Sequence, residues 1–231
     1  MSLQKVALIL GSGPNVGRHI SRAFAAKGYK VALASRSFKK EDNETGLTHF
    51  QADLSDPESV PQLFAKVQQD LGAPSVVVYN GQYKGIGTQF SGAYTLPDAQ
   101  DPFSIHLNNF VKDLNVNTTS VFVAIKEALA SFAKLPASAS KTFIFTGNAM
   151  NTDLIVLPLT GAGAGKAASA HLIHAASVAF YYADERKEDG TPVYREISGE
   201  AHATHYLKLT EDEEQGPWQQ TFVRGQGYKS F

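Results

Sequence analysis

"KVALILGSGPNVGRH", Lys5 to His19, decides the fold. An apolar run ending at Leu10 enters a loop with glycines at Gly11, Gly13 and Gly17, and an amphipathic stretch begins at Val16. Strand, glycine-rich turn and helix in this order make a phosphate cradle. The glycines let the backbone turn tightly and approach a pyrophosphate, while the helix N-terminus offers amide donors and a positive dipole. The usual dinucleotide spacing asks for a glycine at position 16, where this chain has Val16. The spacing that fits is Gly11, three residues, Asn15, one residue, Gly17. Asparagine is the non-glycine residue that most readily takes the left-handed conformation, so Asn15 is expected to replace a glycine there.

Outward from the loop, short apolar runs alternate with longer amphipathic ones. Strands are predicted at Lys5–Leu10, Lys30–Ser35, Thr48–Ala52, Ser75–Tyr79, Thr142–Thr146 and Pro192–Ile197, with an edge strand at Trp218–Arg224. Helices are predicted over Val16–Lys27, Pro57–Leu71, Pro102–Leu135 with a break, and Gly163–Lys187. Apolar strands separated by helices imply an α/β fold: a single doubly wound parallel sheet of Rossmann type with helices on both faces. With no linker-like segment or tandem repeat, residues 1–231 are expected to form one domain whose ligand crevice lies at the carboxyl ends of the strands.

A formal net charge of −1 argues against nucleic acid or an anionic membrane as partner, since both need a basic excess. The chain has no cysteine, which excludes disulfides and thiolate chemistry. The first apolar run is too short to span a bilayer, so the expected setting is a soluble, cytoplasmic one.

The loop spacing resembles that of the short-chain dehydrogenase/reductase family, and the resemblance recurs along the chain. It implies an NADP(H)-binding oxidoreductase in which Gly11, Ser12, Gly13, Asn15, Val16 and Gly17 hold the dinucleotide. NAD-preferring members carry an acid after the second strand; here Ser35 and Arg36 stand there, and a guanidinium pairs with a 2′-phosphate that an acid would repel. Asp53 and Leu54 match the adenine-contacting pair, Asn80 and Gly81 the Asn-Ala-Gly stretch, and Asn117 the structural and proton-relay asparagine. Lys166 matches the lysine that binds the nicotinamide ribose, and "GTPVYREISG" (Gly190–Gly199) the sixth strand. The family also implies pairing of the helix ending near Leu135 and the helix containing Lys166 across a two-fold axis, in a homodimer or homotetramer.

Two departures bear on activity. One helical turn before the lysine the family has a tyrosine, which exchanges a proton with substrate as hydride passes to or from the nicotinamide; here that position is Ala162. The family's serine position falls on Asn148 or Ala149, and Asn148 can donate a hydrogen bond to a carbonyl but cannot relay a proton. Tyr83, Tyr94, Tyr181 and Tyr182 lie where the family uses none. The stretch after the sixth strand runs almost directly into the last helix, which shortens the substrate lid. His171/His174 and His202/His205 are spaced for a metal but lack a third ligand, so no metal is expected, and His174 is expected to face a neighbouring helix. Two readings follow: an NADP(H)-dependent oxidoreductase acting on a small carbonyl, alcohol or activated alkene, with Lys166, Asn117 and Asn148 arranging substrate and water, or an NADP(H)-binding protein that has lost catalysis.

Overall fold

The computed structural model describes residues 4–37, 46–81, 96–98, 100–152, 156–176 and 180–231. Within them Val6–Leu10 (β1) is buried at every position, as a strand covered on both faces must be. It pairs in parallel with Lys30–Ser35 (β2) and with Val76–Tyr79 (β4), while Leu47–Gln51 (β3) adds beyond β2. On the other side Thr142–Thr146 (β5), Phe180–Arg186 (β6) and Gln219–Val223 (β7) follow β4 in parallel, and the short antiparallel Gly227–Tyr228 (β8) finishes the edge. The order β3-β2-β1-β4-β5-β6-β7-β8 winds outward in both directions from the centre. A switch point therefore lies between β1 and β4, where the crossovers part and leave a crevice at the strands' carboxyl ends.

The helices divide between two cores. Val16–Ala26 (α1) and Gly199–Glu211 (α6) cover one face, where Ile20, Phe24, Tyr206 and Leu209 pack on Ala7, Ile9, Val31 and Val78. Ser59–Asp70 (α2), Ser120–Phe132 (α4) and Thr160–Ala176 (α5) cover the other, through Leu63, Phe64, Val121, Ile125 and Ile173 on Leu8, Leu10, Val77 and Phe143. The helix expected from Pro102 begins at Leu107; Leu107–Leu114 (α3) runs into α4 through a π-helical turn, Asn115–Thr119, which is the expected break. No helix among the described residues is long and apolar enough to cross a membrane.

The sixth strand corrects the sequence reading. The helix assigned to Gly163–Lys187 ends at Ala176, and Phe180–Arg186 is β6. Pro192–Ile197 is no strand: Pro192 makes one isolated bridge with Arg186, and Tyr194–Glu196 is a turn of 3₁₀ helix. Proline has no N–H for an interior ladder, whereas "FYYA" is aromatic and buried throughout. The connection from β6 to α6 is thus residues 187–198, longer than the direct passage expected. His174 does not face a helix; its ring stacks on Trp218, just before β7, at 4.5 Å.

Candidate functional site

The glycine loop is fixed from both sides. The amides of Gly11 and Ser12 donate to the Ala34 carbonyl of β2, at 2.9 and 3.3 Å. Asn80, just past β4, donates from Nδ2 to the Gly11 carbonyl at 2.8 Å. Gly11 has φ +97°, and a Cβ there would stand 2.2 Å from the Asn80 carbonyl oxygen, so no other residue fits this corner. Gly17 lets α1 close against Gly11 and Ser12, and Val16 buries its side chain in the core beneath the loop. Gly13 is half-buried between them. Asn15 departs from expectation: its φ is −97°, not left-handed. Its value lies in the side chain, which donates to the Ile197 carbonyl at 2.9 Å and accepts from the Gly199 amide at 3.1 Å. The loop is thereby tied to the start of α6, a link between residues too distant in sequence to be read there.

The flanking residues are ordered by short-range bonds. Ser35 Oγ donates to the Ser37 carbonyl at 2.9 Å and Gln51 to the Arg36 carbonyl at 3.2 Å, which leaves the Arg36 side chain exposed beyond β2. Asp53 accepts from the amide and hydroxyl of Ser55 on one carboxylate oxygen, and the Leu54 carbonyl accepts from Ser120 at 2.8 Å. Gly81 follows Asn80 against the Tyr79 ring. Asn80 Oδ1 is buried and, among the described residues, has no hydrogen-bond partner.

Lys166 lies on α5 and is 2 % exposed. Its Nζ donates to the Thr146 carbonyl at 3.2 Å and stands 4.3 Å from the centre of the Phe145 ring. Burial lowers its pKa to about 7, against the opposing charge of Asp184. Asp184 on β6 is itself raised to about 6 by burial and partly held down by Arg186, whose Nε lies 2.6 Å from its carboxylate. Tyr206 donates to Thr146 Oγ1 at 2.9 Å, so Thr146, on β5, ties α5 to α6 through buried hydrogen bonds. Asp184, Thr146 and Tyr206 were not readable as neighbours of the lysine, because Asp184 fell inside a predicted helix.

The small residues before Lys166 have a packing reason. A Cβ at Gly165 would lie 2.5 Å from Asn117 Cβ, and Ser169 donates to the Asn117 carbonyl, so α5 presses directly on the π turn. Asn117 is buried and donates from Nδ2 to the Asp113 carbonyl at 3.0 Å. Ala162, one turn before the lysine, is fully buried. Asn148 caps the 3₁₀ turn after β5, accepting from the Met150 amide at 3.0 Å. The Tyr182 hydroxyl clasps its peptide, accepting from Asn148 N at 3.1 Å and donating to Asn148 O at 2.9 Å. Lys166, Asn117 and Asn148 thus surround the α5–β5 junction, while the loop residues gather at β1; Tyr83 and Tyr94 lie outside the described residues.

Comparison with known proteins follows the same lines. Residues 5–175 match the family described as short chain dehydrogenase. The short chain dehydrogenase/reductase dmxR12 of Cryptosporiopsis sp. (strain 8999) is 52% identical over 237 residues, covering 98% of this chain and 94% of that one. Among solved structures, the alcohol dehydrogenase of the archaeon Thermococcus sibiricus, complexed with 5-hydroxy-NADP, matches with a TM-score of 0.74 at 20% identity over 99% of this chain and 100% of the other. The NADPH-dependent 3-quinuclidinone reductase of Rhodotorula rubra matches with a TM-score of 0.71 at 20% identity, over 97% and 91%. The solved structures share the fold, and the sequence match extends over most of the chain: the protein belongs to the short-chain dehydrogenase/reductase family.

Proposed function

We propose that the chain binds NADP(H) across the β1/β4 switch point and is an oxidoreductase for a small carbonyl, alcohol or activated alkene, with carbonyl reduction impaired by the loss of its phenol. The observation that carries the cofactor reading is the Gly11 loop, held open-faced between β2 and β4 by Ala34 and Asn80. The unpartnered Asn80 Oδ1 beside it suits a hydroxyl donor from a bound nucleotide. Arg36, exposed at the end of β2, suits a 2′-phosphate, and the 5-hydroxy-NADP named for one matching structure and the NADPH dependence named for another support that choice. Bound NADP(H) supplies or accepts hydride. The protein's own residues orient it: the loop at the pyrophosphate, Asp53 and Leu54 at the adenine, Asn117, Asn148 and Lys166 toward the nicotinamide.

A second reading, dinucleotide binding without hydride transfer, is favoured by Lys166. Its ammonium is occupied by Thr146 beneath the surface, and Ala162 offers no proton one turn away. The two readings share the cofactor and differ in turnover.

Thermal melting tests the cofactor. NADPH at a hundred times its dissociation constant stabilises the fold by about 2.7 kcal/mol, a shift of roughly 5–10 °C for a chain of this size. NADH at the same concentration shifts it less, and Arg36→Ala closes the gap. Equal shifts in the wild type contradict the role given to Arg36, and no shift with either nucleotide contradicts the cofactor.

The same reading includes self-association. Leu107 and Val111 on α3, and Phe122 and Leu129 on α4, are large apolar side chains left exposed along consecutive helices. Light scattering is expected to give a dimer or tetramer at micromolar concentration, and Phe122→Glu to shift it toward monomer; a monomeric wild type contradicts this.

A further inference from the structure

A buried ammonium needs an opposite charge, and the contacts of Lys166 on β5 supply none. Among the described residues Nζ has the Thr146 carbonyl as its one hydrogen-bond acceptor and the Phe145 ring face beneath it, both neutral. The peptide that offers this carbonyl gives its own N–H, that of Gly147, to the Ala183 carbonyl of β6 at 2.7 Å. Asp184 comes next on β6, so the register sets it beside Gly147, one step past the Thr146/Ala183 pair. Its side chain turns to the lysine's side of the sheet. Tyr182 packs in the core under α5 and Ala183 in the core under α1 and α6, and alternation along β6 sends Asp184 the way of Tyr182. Gly147 carries no side chain to stand between them; a Cβ there would lie 2.1 Å from the Tyr182 ring. Asp184 is 2 % exposed, and Arg186, two residues on and therefore on the same face, lies with Nε 2.6 Å from one carboxylate oxygen.

A lysine buried with no counter-charge sheds its proton. We propose that Asp184 is a positioning residue for Lys166: its carboxylate, reaching across the Gly147 gap, balances the buried ammonium that the dinucleotide requires, and Arg186 fixes its orientation. This rests on the NADP(H) reading above, in which Lys166 serves the nicotinamide half. The other ionisable groups near the pair do not take this part. Glu185 lies on the opposite face of β6, where it meets Ser198 and His202. Burial raises Tyr182 and Tyr206 well above the ordinary phenol range, and their hydroxyls are committed to Asn148 and Thr146. Asp113 of α3 approaches α5 at Gly161, more than a full helical turn before Lys166. The charge of Asp184 opposes the fall in the Lys166 pKa, and the charge of Lys166 in turn holds Asp184 down.

Isothermal titration of NADP⁺, which survives acid, into the full chain between pH 5 and pH 8 tests it. Burial raises Asp184 to about 6, so at pH 5 it carries a proton and differs little from asparagine; the wild type and Asp184→Asn then bind alike. As the pH rises, the wild-type carboxylate ionises and sustains the Lys166 charge, whereas the variant loses that charge earlier. The ratio of their dissociation constants therefore grows to roughly three- to tenfold by pH 8. Titration of the nucleotide's own phosphate is common to both proteins and drops out of the ratio. In a Lys166→Met background, Asp184→Asn changes the affinity no further. A ratio that stays level with pH overturns the proposal. So does an equal loss in the Lys166→Met background, which would make Asp184 a support of the fold alone. If the wild type gives no heat with NADP⁺ at any pH, the cofactor reading fails and this one with it; normal wild-type binding beside a level ratio removes Asp184 alone.

Discussion

His205→Phe will gain stability relative to the wild type as the pH falls, by roughly 3 kcal/mol between pH 6.5 and pH 4. His202 and His205 lie on one face of α6, and burial lowers both to about 4. His205 stacks on Phe222 at 4.3 Å, and neither of its ring nitrogens closes a hydrogen bond; Gln220 lies near enough to favour the proton slightly. The unfolded chain takes a proton on each histidine at its ordinary pKa, near 6.5, and the folded chain does not. The unfolded state therefore binds more protons in that window, and stability present above pH 6.5 is lost as the pH approaches 4. Asp184 and Glu185, raised by burial, run in the opposite direction. Their effect cancels in the difference between variant and wild type, which is the quantity to read. Phenylalanine keeps the stack on Phe222 and removes both nitrogens. Urea unfolding of the two proteins at pH 7, 5.5 and 4.5 checks it, and a difference that does not change with pH would contradict a buried, neutral His205.

The extent to which this fold is legible in its sequence depends on where the chain is punctuated. β1, β2, β4 and β5 are apolar runs bounded by glycine, proline or polar turns, and they stand where the sequence puts them. β6 is different. "HLIHAASVAFYYADER" carries apolar residues at helical spacing from Leu172 onward, with no glycine or proline between the helix and the strand. Periodicity cannot separate a buried helix end from a buried strand start in such a run. Reading that run as one helix places the sixth strand at Pro192 and leaves too short a connection before α6. The corner of the glycine loop is legible because its chemistry is local: a glycine stands where the turn needs positive φ. Asn15 shows the limit. Its presence was readable, but its bonds are to Ile197 and Gly199, which only the folded chain brings near. Lys166 shows the same limit: its place among small residues is legible, but its burial and its bond to the Thr146 carbonyl come only with the fold.

On the reading proposed above, in which Ala162 stands one turn before Lys166 where a phenol would serve as acid, wild-type carbonyl reduction is expected to be slow. A positioned general acid contributes about 10²–10⁴-fold to such a step. Ala162 is fully buried and carries no proton, and Asn148 is held by Tyr182 and Met150 as a hydrogen-bonding group only. Tyr182 is no replacement: burial raises its pKa well above the ordinary phenol value, and its hydroxyl is committed to the Asn148 peptide. Lys166 is desolvated with a pKa lowered to about 7, and its nearest acceptor is a main-chain carbonyl. The measurement that bears most directly on this account is steady-state NADPH oxidation by the wild type across a panel of simple ketones and aldehydes, with Lys166→Ala as control. The expected turnover is about 10²–10⁴-fold below that of an enzyme with a placed acid, with Lys166→Ala acting on the NADPH KM and not on kcat. Fast turnover of an ordinary ketone that is abolished in kcat by Lys166→Ala would contradict it.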